Sequence, residues 1–186
     1  MASSSLVYHV YAPQPQSRWP GWLSVWLRAW VPVLAFSMVF VIESTTYFGS
    51  ERTSGPLLRV AEAIFGYDIA VYWETIHHMI RKTGHFMAYG FFSLVCFRSF
   101  WLVLRCVATE LHRRLQAHGL AILVTFIVAS ADEIHQTFLP NRDGSFSDVM
   151  LDTSGAVALG LMLFLVMLAV RHRTEKNYGR QPAYVE

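Results

Sequence analysis

Four stretches of the chain are apolar for about 20 residues each, the length at which a helix crosses the hydrocarbon core of a bilayer. They cover about Ala29 to Phe48, Gly84 to Leu104, Ala117 to Thr137 and Ser147 to Val170. This pattern predicts an all-α protein, an integral membrane four-helix bundle, because helices satisfy their own backbone polar groups in lipid. The first run is the shortest in uncharged core, from Ala29 to Ile42, with Pro32 near its start. The long polar leader before it and the lack of an Ala-x-Ala site predict a retained anchor rather than a cleaved signal.

Between the first two spans, Leu57, Leu58, Ala61, Ile64 and Phe65 recur at helical spacing. That spacing predicts a short interfacial helix lying on the membrane surface. The segment "YWETIHHMIRK" predicts a further helical stretch leading into the second span. A basic loop is expected from Arg105 to Gln116, and a turn from Phe138 to Phe146. The organisation expected is a tail over 1–28, a transmembrane domain over 29–170 and a second tail over 171–186.

Composition agrees with this pattern. The chain is 54% hydrophobic and 15% charged, against about 25% charged in an average soluble domain. Six Trp, eight Tyr and thirteen Phe suit a bilayer and its interfaces. The net charge of +2 carries no basic stripe, which excludes a nucleic-acid-binding role. Cys96 and Cys106, ten residues apart, would stand roughly 15 Å apart on one helix, too far for a disulfide.

The excess of Lys and Arg marks the cytoplasmic side. With four spans, nine of them (Arg18, Arg28, Arg105, Arg113, Arg114, Arg171, Arg173, Lys176 and Arg180) share one side with both termini. Five lie on the other side: Arg52, Arg59, Arg81, Lys82 and Arg142. Both termini are therefore expected in the cytoplasm.

On that topology the unusual polar residues gather at the outer face. Glu43 lies near the end of the first span. Lys82, His85 and Tyr89 open the second at i, i+3 and i+7, on one helical face. Asp132, Glu133 and Gln136 close the third, Arg142 sits in the turn, and Asp148 and Asp152 open the fourth at i, i+4. A carboxylate at the centre of a span costs about 2.5–3.5 kcal/mol on insertion scales, so such groups turn inward and pair. A cavity of this kind could share protons among carboxylates, hold a divalent cation, or grip an anionic head group with Lys82 and Arg142.

Plainer roles exist for several of these residues. Asp148 follows Ser145 in the Ser-x-x-Asp pattern of a helix cap. Arg142 could bridge to Asp148 or Glu133, and Lys82 could snorkel to head groups. His77, His78 and His135 read as interfacial or supporting residues. Gly155 and Gly160, with Ala156 and Ala158, fit close helix packing. A structural ion-pair network would account for the whole set, but four helices contributing to one face favour a site.

The segments "RKTGHFMAYG" and "ADEIHQTFLPNRDGSFSDVMLDTSGA" resemble the VanZ-like family of bacterial membrane proteins over about Ala35 to Met167. The resemblance rests on Lys-x-x-His-Phe-x-x-Tyr, on Glu-x-x-Gln-x-Phe-x-Pro-Gly-Arg, and on an Asp-x-x-x-Asn/Asp ahead of a Gly-rich helix. It singles out Lys82, His85, Tyr89, Glu133, Gln136, Arg142, Asp148 and Asp152. Here Asn141 replaces the family's Gly, and Asn also tolerates a left-handed backbone. Asp152 stands where Asn is frequent and adds a negative charge. The family is named for low-level resistance to teicoplanin, so the resemblance implies a cell-envelope role in the bacterial inner membrane.

Two functions are expected to compete. In the first, an enzyme acts on a lipid-linked cell-wall precursor or a glycopeptide. Glu133 or Asp132 is the general base, His85 acid or base, and Lys82 with Arg142 the anion grip. No Gly-x-Ser-x-Gly motif is present, so water is the expected attacking group. In the second, the same residues bind the antibiotic or an envelope lipid without transforming it. A transporter is disfavoured by the lack of an inverted repeat. A reporter fused after Glu186 is expected to stay cytoplasmic; its export would overturn the topology.

Overall fold

A computed structural model of the protein describes residues 21–45, 50–104, 109–139 and 144–178. Among them are five α-helices and no strand: α1 (Gly21–Glu43), α2 (Ser50–Phe65), α3 (Trp73–Val103), α4 (Glu110–Thr137) and α5 (Phe146–Tyr178). A short 3₁₀ segment, Tyr67–Tyr72, joins α2 to α3. Four of the helical stretches are long and apolar enough to cross a membrane: Gly21–Glu43, Tyr67–Val103, Glu110–Thr137 and Phe146–Thr174.

The helices differ from the expected spans chiefly at their ends. The stretch before the second span and the span itself form one continuous helix, α3. No proline or glycine cluster separates them, so nothing breaks the backbone ladder. Likewise α4 begins at Glu110, inside the expected basic loop. Thr109 supplies the start: its side chain accepts from the backbone N–H of His112, the bond of an N-cap. At the other end of the bundle, α2 stops at Gly66, whose φ of 89° lies in the left-handed region.

The bundle is built around α3, which packs against α1, α4 and α5. Its buried face carries Tyr89, Phe92, Cys96 and Phe97. The closest approach is to α5. A methyl group on Gly155 would stand 2.1 Å from the backbone oxygen of Phe86, and one on Gly90 would stand 3.0 Å from that of Gly155. Of the expected small-residue set, Gly155 is therefore required by contact. Gly160 is not, because its nearest neighbour would be His118 Nδ1 at 3.7 Å. On α5 the small residues Gly155 and Ala156 face inward, while Val157, Leu161 and Leu165 are about half exposed. Small inside and large outside is the arrangement of a helix whose outer face meets lipid.

Pro32 shapes the attachment of α1. Lacking an N–H, it leaves the carbonyl of Arg28 without its helical donor. Arg98 of α3 supplies one, with Nη1 2.9 Å from that oxygen. One residue on, Ser99 Oγ donates to the carbonyl of Ala29 at 2.5 Å. Farther along, Phe40 stacks on Tyr89 with ring centroids 4.2 Å apart. The helix α2 is tied to α3 by Trp73 Nε1 donating to Ser54 Oγ (2.7 Å) and by the Thr53–His77 contact (3.3 Å).

Gly155→Ala is expected to lower the melting temperature in detergent, by the equivalent of about 1–3 kcal/mol of overpacking. Gly160→Ala should leave it unchanged; equal melting of both variants would show that the α3–α5 contact does not limit stability.

Candidate functional site

Three of the expected residues project from one face of α3. Lys82 Nζ donates to Asp148 Oδ1 on α5. One turn on, His85 Nδ1 faces Asp152 Oδ1 at 3.8 Å, beyond hydrogen-bond length. One further turn brings Tyr89, whose hydroxyl donates to Asp132 Oδ2 on α4 at 3.1 Å. The spacing of Lys82, His85 and Tyr89 thus delivers successive side chains to two neighbouring helices.

The carboxylates sit in unlike surroundings. Asp148 is partly exposed and paired. Asp132 accepts a second bond on Oδ2 from Gln136 Nε2 at 3.0 Å. Glu133 is buried and has both oxygens engaged: Oε2 accepts from the backbone N–H of Ser145 at 2.8 Å, and Oε1 lies 3.5 Å from Gln136 Nε2. Asp152 is 0% exposed, and neither of its oxygens has a hydrogen-bond partner. A buried carboxylate in that condition carries most of its desolvation cost uncompensated.

The Ser145–Asp148 pattern resolves into two functions. Ser145 caps α5, its Oγ accepting from the N–H of Ser147 at 3.2 Å. Asp148 does not return to the Ser145 N–H as a capping box would; it turns to Lys82, and Glu133 takes that N–H instead. The chain passes so close that a methyl group on Gly144 would stand 2.2 Å from the backbone oxygen of Glu133. Glu133 therefore clamps the start of α5 against the end of α4.

His85 opens onto a cavity of about 240 Å³ lined also by Glu43, Thr53, His77, Arg81 and Gly84. Glu43 of α1 lines the same cavity as His85. Arg142 lies outside the described residues. Sequence reasoning missed Arg81 in the cavity wall and Phe40 beneath Tyr89. It also left His135 as a supporting residue; its Nδ1 lies 3.0 Å from Ser44 Oγ on α1. Only the helical phase of α3 could have flagged Arg81, four residues before His85. Among the described residues no three His, Cys, Asp or Glu side chains stand close enough to hold a metal ion.

A protein-family model described as VanZ/LLP1 matches residues 24–168. No curated protein and no solved structure gives a match.

Lys82 and Asp148 are 32% and 27% exposed, so solvent screens their attraction. A double-mutant cycle with Lys82→Met and Asp148→Asn, read by unfolding in detergent, is expected to give a coupling of about 0.2–1 kcal/mol. Additive effects would mean that the pair does not hold α3 to α5.

Proposed function

The chain belongs to the VanZ/LLP1 family and has the four long apolar helices of a multi-pass membrane protein, and from that premise we propose that it is a cell-envelope enzyme. In this reading it is a hydrolase or transferase acting on a lipid-linked or glycopeptide substrate. The observation that carries the reading is Asp152, a wholly buried carboxylate without a hydrogen-bond partner, facing a histidine that lines a cavity. A purely structural carboxylate would be expected to be satisfied by its neighbours. Histidine beside a carboxylate is also a common arrangement for moving a proton near neutral pH.

The roles follow from the surroundings. His85 takes a proton from the attacking water and returns it to the leaving group. Asp152 stabilises the imidazolium formed between those two steps. Arg81 adds positive charge to the cavity wall, suited to an anionic group on the substrate. Glu133, whose oxygens are engaged, holds the turn that brings Asp148 and Asp152 to α3 and is a positioning residue in this reading. Asp132 is held by Tyr89 and Gln136 and orients them. In the same reading both termini are cytoplasmic, the site faces outward from the bacterial inner membrane, and α2 lies on the outer surface. There its exposed Val60, Ile64 and Phe65 would meet lipid.

The test is mass spectrometry of envelope lipids and of added teicoplanin after incubation with the purified protein in membranes. A substrate that changes mass with the wild type, and at least about 100-fold more slowly with His85→Gln or Asp152→Asn, is the expected result. Saturable binding of a ligand that keeps its mass would replace the enzyme with a binder. Full turnover by both variants would remove the assigned site.

A further inference from the structure

The buried side-chain atoms that lack a hydrogen-bond partner sort by chemical type along the bundle. At the acidic end, among the described residues, they are the two oxygens of Asp152, both acceptors. At the opposite end they are Trp30 Nε1, Arg113 Nε, and Nε and Nη1 of Arg114, all donors. His118 Nε2, one turn along α4 from Arg114, is also without a partner. An unsatisfied buried donor is costly, and more so when it is charged. Several together call for a ligand that accepts many hydrogen bonds and is negative.

The two guanidinium groups are held around one indole. Arg113 lies over Trp101 with Cζ 3.8 Å from the ring centre, and its Nη2 donates to the Trp101 carbonyl. Arg114 has its Cζ 5.9 Å from the same ring. Arg114 is 9% exposed, and Glu110 meets its Nη2 alone at 3.2 Å. Glu110 is itself about half exposed, so it neutralises the pair of arginines only in part.

The surroundings say what kind of anion fits. On either side of the arginines, Leu111 and Leu115 are 49% and 54% exposed. On α1, Trp22 and Trp26 are exposed and Trp30 stacks on Trp26 at 5.9 Å. Indoles at the end of a span mark the depth of lipid head groups. Donors beside exposed leucines at that depth match a molecule with an anionic head and apolar tails. We infer that Arg113 and Arg114, around Trp101, bind the phosphate of an anionic membrane lipid at the end of the bundle opposite the acidic site. Phosphate is favoured over carboxylate because its oxygens can meet both guanidinium groups. This assignment stands apart from the enzyme reading and would survive its failure.

Native mass spectrometry of the full chain in detergent tests it, with phosphatidylglycerol, phosphatidylcholine and inorganic phosphate as probes. Phosphatidylglycerol is expected to bind more tightly than phosphatidylcholine and to resist displacement by inorganic phosphate. Arg114→Gln and Arg113→Gln should each weaken it about 10-fold, whereas Arg173→Gln, at an exposed arginine near the C-terminal end of α5, should not. Arg113 is the less buried of the two, so its variant carries the test if Arg114→Gln does not fold. Displacement by inorganic phosphate would assign the site to a free anion and overturn the lipid. Unchanged phosphatidylglycerol binding in the Arg113 variant, or equal weakening by Arg173→Gln, would overturn the site.

Discussion

The backbone contact between Gly155 and Phe86 sets the distance between α3 and α5, and the polar chemistry of the molecule depends on that distance. Asp148 and Asp152 flank the approach on one side, one turn apart, and Lys82 and His85 meet them across it. A side chain at residue 155 would meet the backbone of Phe86, so the helices would have to shift and draw Asp148 and Asp152 away from Lys82 and His85. The small-residue stripe and the acidic residues of α5 are therefore parts of one device. Apolar packing in lipid gains little from hydrophobicity, so close van der Waals fit has to hold such helices together.

Within that frame the carboxylates are graded by how fully they are satisfied. Glu133 ties the end of α4 to the start of α5, and Asp132 accepts from Tyr89 of α3 and from Gln136. Asp148 has a lysine and some access to solvent. Asp152 has neither solvent nor a hydrogen bond, and among the described residues it faces His85 at 3.8 Å. The proton-transfer role rests on this contrast more than on the number of acidic groups. The proposed function accordingly gives the proton to the His85–Asp152 pair and leaves Glu133, whose oxygens are engaged, as a positioning residue.

Much of the bundle was legible in the order of apolar and polar residues. The spans follow from run length, and the i, i+3, i+7 spacing of Lys82, His85 and Tyr89 put them on one face. The family motifs then pointed to residues that the fold brings together on α3, α4 and α5. What the sequence did not disclose was mostly contact between elements. Nothing local says that Glu133 will take the N–H of Ser145 from the helix that Ser145 begins, or that His135 will meet Ser44. The early start of α4 was hidden for another reason: the charges of Glu110, His112, Arg113 and Arg114 read as a loop, while a single Thr109 cap sufficed to begin the helix.

The fastening of α1 has a consequence for how this chain can change. Two of its polar ties to α3 end on backbone carbonyls, those of Arg28 and Ala29, and the donors are the side chains of Arg98 and Ser99. Drift at residue 28 therefore leaves its tie intact, since any residue presents the same oxygen. The information that holds that end of α1 in place is written instead at Pro32, Arg98 and Ser99. A survey of substitutions should find the first span permissive along its lipid face and strict at its one proline, with α3 carrying the specificity for a helix it does not adjoin in sequence.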